Sequence, residues 1–227
     1  MPTQLYPKES TKQPKASSDC RVVDLGFLTF DAAYAFQQKI LHEVIHESCP
    51  DTLIFCQHPH TITLGRLAKK ENILVPPGFL IEQGISVFRI DRGGDVTYHG
   101  PGQLVAYPIF NLARHEKDLK KFLNNLEQVV IDFLLYFGIK GIRKSSLTGV
   151  WVEDKKVGSI GIGVRKWITF HGLAININTD LKYFSLIRPC GLNKEMTSLE
   201  MILERKIEID NCQALFLDSF RKIFNFN

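Results

Sequence analysis

The stretch "RGGDVTYHGPGQ", Arg92 to Gln103, holds four glycines, one proline, an arginine, a tyrosine and a histidine. It lies between two apolar segments, "ISVFRI" and "LVAYPIFNL". Glycine loses more backbone freedom on folding than any other residue, and a plain hairpin turn needs only one or two such positions. Four glycines in one loop therefore predict backbone that bends sharply or lies close against a bound group.

The composition outside this loop is that of a globular protein. The chain has 227 residues, of which 44% are hydrophobic and 23% are charged, and this predicts one large domain. No apolar run reaches the ~18 residues that would span a membrane, and a net charge of +4 is too small to indicate nucleic-acid binding. Residues 1–19 lack the apolar segment of a secretory signal. We expect them to form a disordered tail before a single domain of residues 20–227.

The cysteines indicate a reducing compartment. Their number is odd, their spacing is irregular and no C-x-x-C is present; they are Cys20, Cys49, Cys56, Cys190 and Cys212. This pattern is typical of free thiols and favours neither a disulfide framework nor a zinc site. Together with the missing secretory signal, it predicts a cytoplasmic protein.

Hydrophobic periodicity predicts strands in the middle of the chain with helices around them. Apolar residues at helical spacing predict a helix from Asp31 to about Glu47 and a second from Asp118 to about Phe137, where Gly138 is suited to a C-cap. Alternating or apolar segments predict strands on both sides of the glycine loop and a hairpin that turns near Asp154. Two more helices are expected after Glu195. The fold class is α+β, a single domain with a mixed, largely antiparallel sheet flanked by helices.

The segment "RPCGL" contains the strongest candidate nucleophile. Cys190 lies between a proline, which fixes its own backbone angle, and a glycine, which lets another group approach closely. A thiol on such a stiff turn can be aimed at a substrate. The alternative, that Cys190 is a small buried hydrophobic residue, is about equally compatible with the sequence.

A nucleophilic cysteine needs a group that stabilises the thiolate, because the pKa of a free thiol is about 8.5. His99 in the glycine loop and His171 before a glycine are two candidates. Lys156 is a third, since it begins an otherwise apolar strand, "KVGSIGIGV", and a partly buried lysine can exchange protons near neutral pH. Lys155 beside it is expected to be solvated. The alternative interpretation is that Lys156 is an ordinary exposed lysine in a turn.

Several other kinds of site are not supported. The glycines of "GSIGIGV" do not form a dinucleotide fingerprint, and neither a phosphate-binding G-K-[ST] nor a G-x-S-x-G is present. His58 and His60 have no evident third metal ligand. We therefore predict no cofactor and no metal.

Taken together, these segments resemble a known family. "GRL" after "TITL", then "RGGDVTYHGPGQLVAYPI", "GVWVEDKKVGSIGIGVRKWITFHGLAININTDLKYFSLIRPCGL" and "TSL" resemble the lipoyl(octanoyl) transferases of lipoate biosynthesis, the LipB family, over about residues 20–215. The sequence departs from the family at His60, where a proline is expected. The resemblance implies the fold of the biotin/lipoate protein ligase superfamily, which is class II synthetase-like.

The resemblance also implies an activity and its residues. The reaction moves an octanoyl group from octanoyl-acyl carrier protein to a lysine of lipoyl domains, which belong to 2-oxoacid dehydrogenase complexes and the glycine cleavage H protein, through an acyl-cysteine thioester. By motif, the catalytic residues are Cys190 and Lys156. The substrate-binding residues are Arg92, Gly93, Gly94, Asp95, Val96, Thr97, Tyr98, His99, Ser159, Ile160, Gly161, Gly172, Leu173 and Ala174.

Three other activities fit parts of this pattern. An ATP-dependent lipoate or biotin ligase has the same fold but needs no cysteine at position 190. A binding module would hold an acyl group or a lipoyl domain without turnover. A thioesterase or amidase using Cys190 and His171 would release free octanoate. The complete set of motifs favours the transferase.

Overall fold

The structure is a computed structural model, and it describes residues 20–188 and 195–226. The predicted tail, residues 1–19, lies outside the described residues. The strands are β1 Cys20–Phe27, β2 Asp51–Gln57, β3 Thr61–Leu64, β4 Ser86–Arg89, β5 Val96–His99, β6 Gln103–Ile109, β7 Ile142–Lys144, β8 Leu147–Val152, β9 Lys155–Arg165 and β10 Ile168–Asn176. The α-helices are α1 Phe30–Ile45, α2 Pro77–Glu82, α3 Leu119–Leu135, α4 Leu199–Leu203 and α5 Ile209–Phe224.

The strands form two sheets. The larger has seven strands in the order β1-β2-β6-β10-β9-β8-β7, and all its pairs are antiparallel except β1 with β2. The smaller has the order β4-β3-β5, with β3 parallel to β4 and antiparallel to β5. The predicted α+β class with a mixed, largely antiparallel sheet is confirmed. The smaller sheet was not anticipated from the sequence; β3, β4 and β5 pair with one another and not with strands of the larger sheet.

Helices cover both faces of the large sheet because each has one apolar face. On one side α1 buries Ala33, Ile40, Leu41 and Val44 against β2, β6 and β10. On the other side α3 and α5 pack with the opposite side chains of the same strands. As the sequence predicted, a glycine with positive φ, Gly138, lies just after α3, and the N–H of Ile139 donates to Leu134 O. At its start the Asp118 side chain accepts a hydrogen bond from Lys121 N.

The sequence analysis missed the three-residue strand β7 and two further elements, α2 and β5. Helix α2 has only six residues, which is too short to show helical periodicity. Strand β5 lies inside the stretch that was predicted to be a loop, with Val96 and Tyr98 packed into a separate apolar cluster of the small sheet. Its glycines at 93, 94, 100 and 102 lie just outside the strand. The glycine-rich stretch is therefore a short strand between two glycine turns.

Candidate active site

A cavity of about 900 Å³ lies against both sheets. Its walls come from β5, β6, β9 and β10, from the loop before β5, and from the segments on either side of residues 189–194. This volume is within the usual range for small-molecule pockets. The predicted substrate-binding residues that line it are Arg92, Gly94, Asp95, Val96, Thr97, His99, Ser159, Ile160, Gly161, Gly172, Leu173 and Ala174.

Two of the predicted stretches are neighbours in the large sheet. In the antiparallel pair of β9 and β10, Ser159 is opposite Ala174, and Gly161 is opposite Gly172. A Cβ atom at Gly172 would overlap the carbonyl oxygen of Ala106 on β6, so only glycine lets the three strands approach here. The two sequence motifs therefore form one continuous wall of the cavity.

The charged residues of the glycine loop hold the loop itself in place. The Arg92 guanidinium donates to Thr63 O at 2.9 Å and to Gly93 O at 2.9 Å. The Asp95 carboxylate accepts two hydrogen bonds from Asn72 Nδ2, at 2.8 and 2.6 Å. Both charged side chains are only 8% exposed. These contacts fix the position of the loop, and both side chains also line the cavity.

Two residues of the predicted set lie beside the cavity and do not line it. Gly93 donates its N–H to Ile162 O at 2.8 Å and so ties the loop to β9. The Tyr98 ring stacks on Tyr183, and its hydroxyl is 2.6 Å from His60 Nδ1. Both residues support the wall from behind.

Lys156 lies at the start of β9 and lines the cavity. Its side chain is half-buried, with Nζ donating to Thr148 O at 2.8 Å and lying 5.5 Å from the Trp151 ring centroid. Lys155 is exposed and forms an ion pair with Glu195 at 3.2 Å. The alternating strand therefore gives the two adjacent lysines different environments, as the sequence predicted.

Gly149 on β8 makes room for the Lys156 side chain. Its φ is +130°, and a Cβ atom there would overlap Lys156 Cε. Glu127 on α3 fixes this position, because its carboxylate accepts from Gly149 N at 2.9 Å and from Arg143 Nε at 3.1 Å. Glu127 and Gly149 were not identified from the sequence. The signal that could have revealed them is an acidic residue on the apolar face of α3, which requires a partner when buried.

Cys190 lies outside the described residues. The chain before it is tied to the loop at Asn72, whose carbonyl oxygen accepts from Arg188 N at 2.8 Å. The chain after it pairs with Lys156: Lys156 N donates to Glu195 O at 2.9 Å, and Thr197 N donates to Lys156 O at 2.9 Å. Ile187 and Glu195, which flank this segment, both line the cavity.

His99 and His171 each have hydrogen-bond partners other than Lys156. His99 Nδ1 is 2.8 Å from Gln103 Oε1, and burial lowers the pKa of His99 to about 3. His171 Nε2 is 3.1 Å from Asp91 Oδ1, and burial lowers its pKa to about 4 in spite of that carboxylate. His171 has a φ of +56°, and its N–H donates to Gln37 Oε1 at 3.0 Å. Both imidazoles are therefore neutral at pH 7.

His58 and Tyr107 belong to the same buried group and were missed by the sequence analysis. His58 is fully buried, and its Nε2 is 2.8 Å from the hydroxyl of Tyr107, which lines the cavity. The His58 and His99 rings are 5.9 Å apart. No short motif surrounds His58. A tyrosine within an apolar strand such as β6 does indicate a buried hydroxyl that needs a partner.

Residues 20–188 and 195–226 contain no group of three side chains that could hold a metal ion. None of the helices in this part of the chain has the length and apolar character needed to cross a membrane.

Comparison with known proteins identifies the family. The family model described as "Lipoyl protein ligase A/B catalytic domain" matches residues 30–221. The chain belongs to this family. The octanoyltransferase of Caldicellulosiruptor saccharolyticus is 45% identical over 203 residues, covering 88% of this chain and 86% of that protein. The octanoyltransferase of Thermosynechococcus vestitus is 44% identical over 201 residues, covering 88% of each. The sequence-based resemblance to this family is confirmed.

Solved structures of more distant proteins share the fold of the lipoyl protein ligase A/B family. A lipoate-protein ligase A bound with ATP has a TM-score of 0.72 and 17% identity, covering 92% of this chain and 87% of that one. Biotin protein ligase from Aquifex aeolicus, in complex with biotin and ATP, has a TM-score of 0.56 and 14% identity, covering 90% and 70%. The predicted superfamily fold is confirmed.

Proposed function

We propose that this chain transfers an octanoyl group from octanoyl-acyl carrier protein to a lysine of lipoyl domains, through a thioester on Cys190. Membership of the octanoyltransferase family, with relatives 37–45% identical, gives octanoyl transfer in lipoate biosynthesis as the reaction. Lipoyl domains of 2-oxoacid dehydrogenase complexes and the glycine cleavage H protein are the proposed acceptors. The cytoplasm is the proposed location.

One observation carries the assignment of Lys156 and Cys190 to the same site. The backbone of Lys156 is hydrogen-bonded on both sides to Glu195 and Thr197, in the segment that follows residues 189–194. Lys156 and both flanks of that segment line one cavity. The chain connectivity therefore supports a short separation between the two catalytic candidates.

Three of the other cysteines are poor nucleophiles, and none of the described ones lines the cavity, which also supports Cys190. Burial raises the pKa of Cys20 to about 12 and that of Cys212 to about 11. Burial raises the pKa of Cys56 further. None of the described cysteines, which are Cys20, Cys49, Cys56 and Cys212, lines the cavity. A thiol with a raised pKa contains little thiolate at pH 7, and the thiolate is the reactive form.

The proposed chemistry has two acyl transfers. In the first, Cys190 gives its proton to Lys156, and its thiolate attacks the donor thioester carbon. The bond to the carrier sulfur breaks, and the departing thiolate takes the proton from Lys156. In the second, the acceptor lysine attacks octanoyl-Cys190 as a neutral amine, an amide forms, and Lys156 receives the amine proton and returns it to the Cys190 sulfur. One thioester replaces another in the first step, so no ATP is consumed.

The cavity wall is the proposed binding site for the acyl chain. The paired segments Ser159-Ile160-Gly161 and Gly172-Leu173-Ala174 line the cavity with backbone, small side chains and the aliphatic side chains of Ile160 and Leu173, which an alkyl chain can contact. We propose the same role for the lining residues of 92–99. Gly93 and Tyr98 act by supporting this wall.

Intact-mass measurement tests the proposal. The protein is incubated with octanoyl-acyl carrier protein without ATP, and its mass is expected to rise by one octanoyl unit. Adding a lipoyl domain should remove that mass and acylate the domain. Cys190→Ser should gain no octanoyl group. Dependence on ATP would indicate a ligase, and release of free octanoate as the main product would indicate a thioesterase.

A further inference from the structure

One peptide group lies between the Glu127 carboxylate and the Lys156 ammonium. This group joins Thr148 to Gly149 on β8. Its N–H donates to Glu127 Oε1 at 2.9 Å, and its carbonyl oxygen accepts from Lys156 Nζ at 2.8 Å. At these lengths the two charged groups are no more than about 8 Å apart. The hydrogen bonds therefore form a continuous chain from an anion on α3 to a cation on β9.

The two charges match the direction of the peptide dipole. In a trans peptide group the N–H end is positive and the carbonyl end is negative, and the described part of the chain contains no cis peptide bond. The carboxylate is at the positive end and the ammonium is at the negative end. Because hydrogen bonds in a chain polarise one another, Glu127 makes the Thr148 carbonyl oxygen a stronger acceptor for Lys156. A hydrogen bond to the charged form of a group favours that form.

The Glu127 carboxylate is buried at a cost in stability. Its side chain is 9% exposed, and besides Gly149 N it accepts from Arg143 Nε at 3.1 Å. Burying an ion pair is often no more stable than packing apolar side chains of similar volume, so packing alone does not explain a carboxylate on this face of α3. Arg143 is 40% exposed, and solvent therefore screens its charge more than that of Glu127.

Other charged groups near Lys156 are on neighbouring segments and form ion pairs of their own. Lys144 on β7 contacts the same indole ring as Lys156 and is paired with Asp154 at 2.6 Å. Lys155, the adjacent residue on β9, is paired with Glu195 at 3.2 Å. Each pair combines a positive and a negative charge at the surface, so its net effect on Lys156 is small.

We infer that Glu127 is a positioning residue for Lys156, which acts through the Thr148–Gly149 peptide group to hold the ammonium and raise the pH at which Lys156 loses its proton. The inference rests on the proposed function, which makes Lys156 the proton-transfer group. It adds a residue that does not line the cavity. An amine accepts a proton only when it is neutral, so the charge of Glu127 affects the pH range in which Lys156 can act as a base.

The reactivity of the Lys156 amine with a trace of acetic anhydride tests this inference. Only the neutral amine reacts, so acetylation measured against pH gives the midpoint at which Lys156 loses its proton. Fragment masses separate Lys156 from Lys155. In Glu127→Gln the amide oxygen can still accept from Gly149 N, but the charge is lost. We expect the Lys156 midpoint to fall by roughly half a pH unit, while the Lys155 midpoint stays within a tenth of that.

A buried carboxylate elsewhere in the large sheet provides the matched control. Asp51 is also buried, accepts a backbone N–H, from Asn111 at 3.0 Å, and is paired with Arg114. Its strand, β2, is three positions from β9 in the sheet, or about 14 Å. Asp51→Asn changes the net charge by the same amount and should leave the Lys156 midpoint unchanged. Equal shifts in Asp51→Asn and Glu127→Gln would overturn the inference.

A second variant gives a result of opposite sign and serves as the test if Glu127→Gln does not fold. Arg143→Gln removes the cation that offsets Glu127, so the carboxylate should act more strongly and the Lys156 midpoint should rise. A midpoint that Glu127→Gln leaves unchanged, or that Arg143→Gln fails to raise, would contradict the proposed role of Glu127. Circular dichroism establishes which variants are folded.

Octanoyl transfer separates this inference from the proposed function. In Glu127→Gln we expect the dependence of kcat on pH to move with the acetylation midpoint, and KM to change less than kcat. If acetylation shifts as expected but no octanoyl group is transferred by the wild-type chain, the proposed function fails and the role of Glu127 stands. If octanoyl is transferred but the acetylation midpoint does not move, the reverse holds.

Discussion

The two ends of the cavity differ in how their ionisable groups are held. At one end Lys156 is half-buried and close to solvent, on a strand start that is paired with residues just beyond 189–194. At the other end His99 and Tyr107 are buried, and each has a hydrogen-bond partner of its own. A group that must gain and lose protons needs access to solvent, whereas a group that recognises an uncharged chain must stay neutral. The fold separates these two requirements along β9.

Removing the ammonium at the reactive end should have the largest effect. Lys156→Ala is expected to lower kcat by roughly 10²–10⁴-fold, because a positioned proton-transfer group contributes that much. Rates of octanoyl transfer to a lipoyl domain measure the effect. Lys155→Ala is the control, since this exposed neighbour pairs with Glu195 and should leave kcat within a few-fold of wild type. Equal losses in both variants would exclude a special role for Lys156.

Moving the ammonium without removing it should have the next largest effect. Gly149→Ala introduces a Cβ that overlaps Lys156 Cε and a φ of +130° that alanine resists. A displacement of about 1 Å can cost 10²-fold in rate, so we expect kcat to fall by about that factor while the protein remains folded. Circular dichroism and transfer rates are the measurements. A folded Gly149→Ala protein with normal kcat would show that Lys156 need not occupy its present position.

At the end of the cavity that His99 and His171 line, the expected effect is on how the free energy of unfolding depends on pH. Burial lowers the pKa of His99 to about 3 and of His171 to about 4, and it also lowers that of His58. The unfolded state, with histidine pKa near 6.5, therefore binds more protons than the folded state as pH falls from about 6.5 to 4. Stability is fully present above pH 6.5 and decreases below it, by about 1.4 kcal/mol per pH unit for His99 and again for His171. Protonation of His58 acts in the same direction.

Urea unfolding at pH 7, 6, 5 and 4.5 measures this slope. His99→Gln should reduce the slope of the free energy of unfolding against pH by the contribution of one proton, which is roughly 1.4 kcal/mol per pH unit. His42→Gln, at an exposed position of α1, is the matched control. A slope that His99→Gln leaves unchanged would mean that His99 is not held neutral by burial.

The smallest effect is expected from surface charges at the cavity mouth. Arg143 and Lys144 are already engaged in ion pairs, Arg143 with Glu127 and Lys144 with Asp154 at 2.6 Å. Lys69 and Lys70 are exposed, and their loop carries Leu67, which lines the cavity. Reversing both lysine charges should therefore lower kcat/KM for the carrier-bound substrate, by roughly threefold to tenfold at low salt.

A salt series checks whether this loss is electrostatic. The difference should shrink between 0.1 M and 1 M salt, as the Debye length falls from about 10 to 3 Å. A small octanoyl thioester without the carrier should show no such difference. Reversal of Lys120 and Lys140, two exposed lysines elsewhere, provides a control with the same change in net charge. Equal losses in the two double variants would mean that no local attraction exists.

The sequence predicted the features that depend on the spacing of apolar and polar residues within one helix or strand. The long helices α1 and α3 followed from apolar spacing, and the asymmetry between Lys155 and Lys156 followed from strand alternation. The segments 159–161 and 172–174 were identified by motif, but their direct pairing depends on the register of β9 and β10. His58 and Tyr107 could not be recognised as neighbours, because 49 residues separate the two side chains that share a hydrogen bond. Cys190 as nucleophile stays a prediction.

The buried carboxylate of Glu127 has a consequence for interpreting natural variants of this chain. It lies on a helix packed on the face of the large sheet, yet it holds Gly149 and through it the space that Lys156 occupies. A substitution at Glu127 or Arg143 lies on a helix or strand away from the cavity, where a loss of stability would be the usual expectation. Because these residues position Gly149 and so Lys156, we expect such a substitution to lower kcat as well. For substitutions far from the cavity, contact with the hydrogen bond between Glu127 on α3 and Gly149 on β8 should predict the effect on activity better than distance from the reacting atoms does.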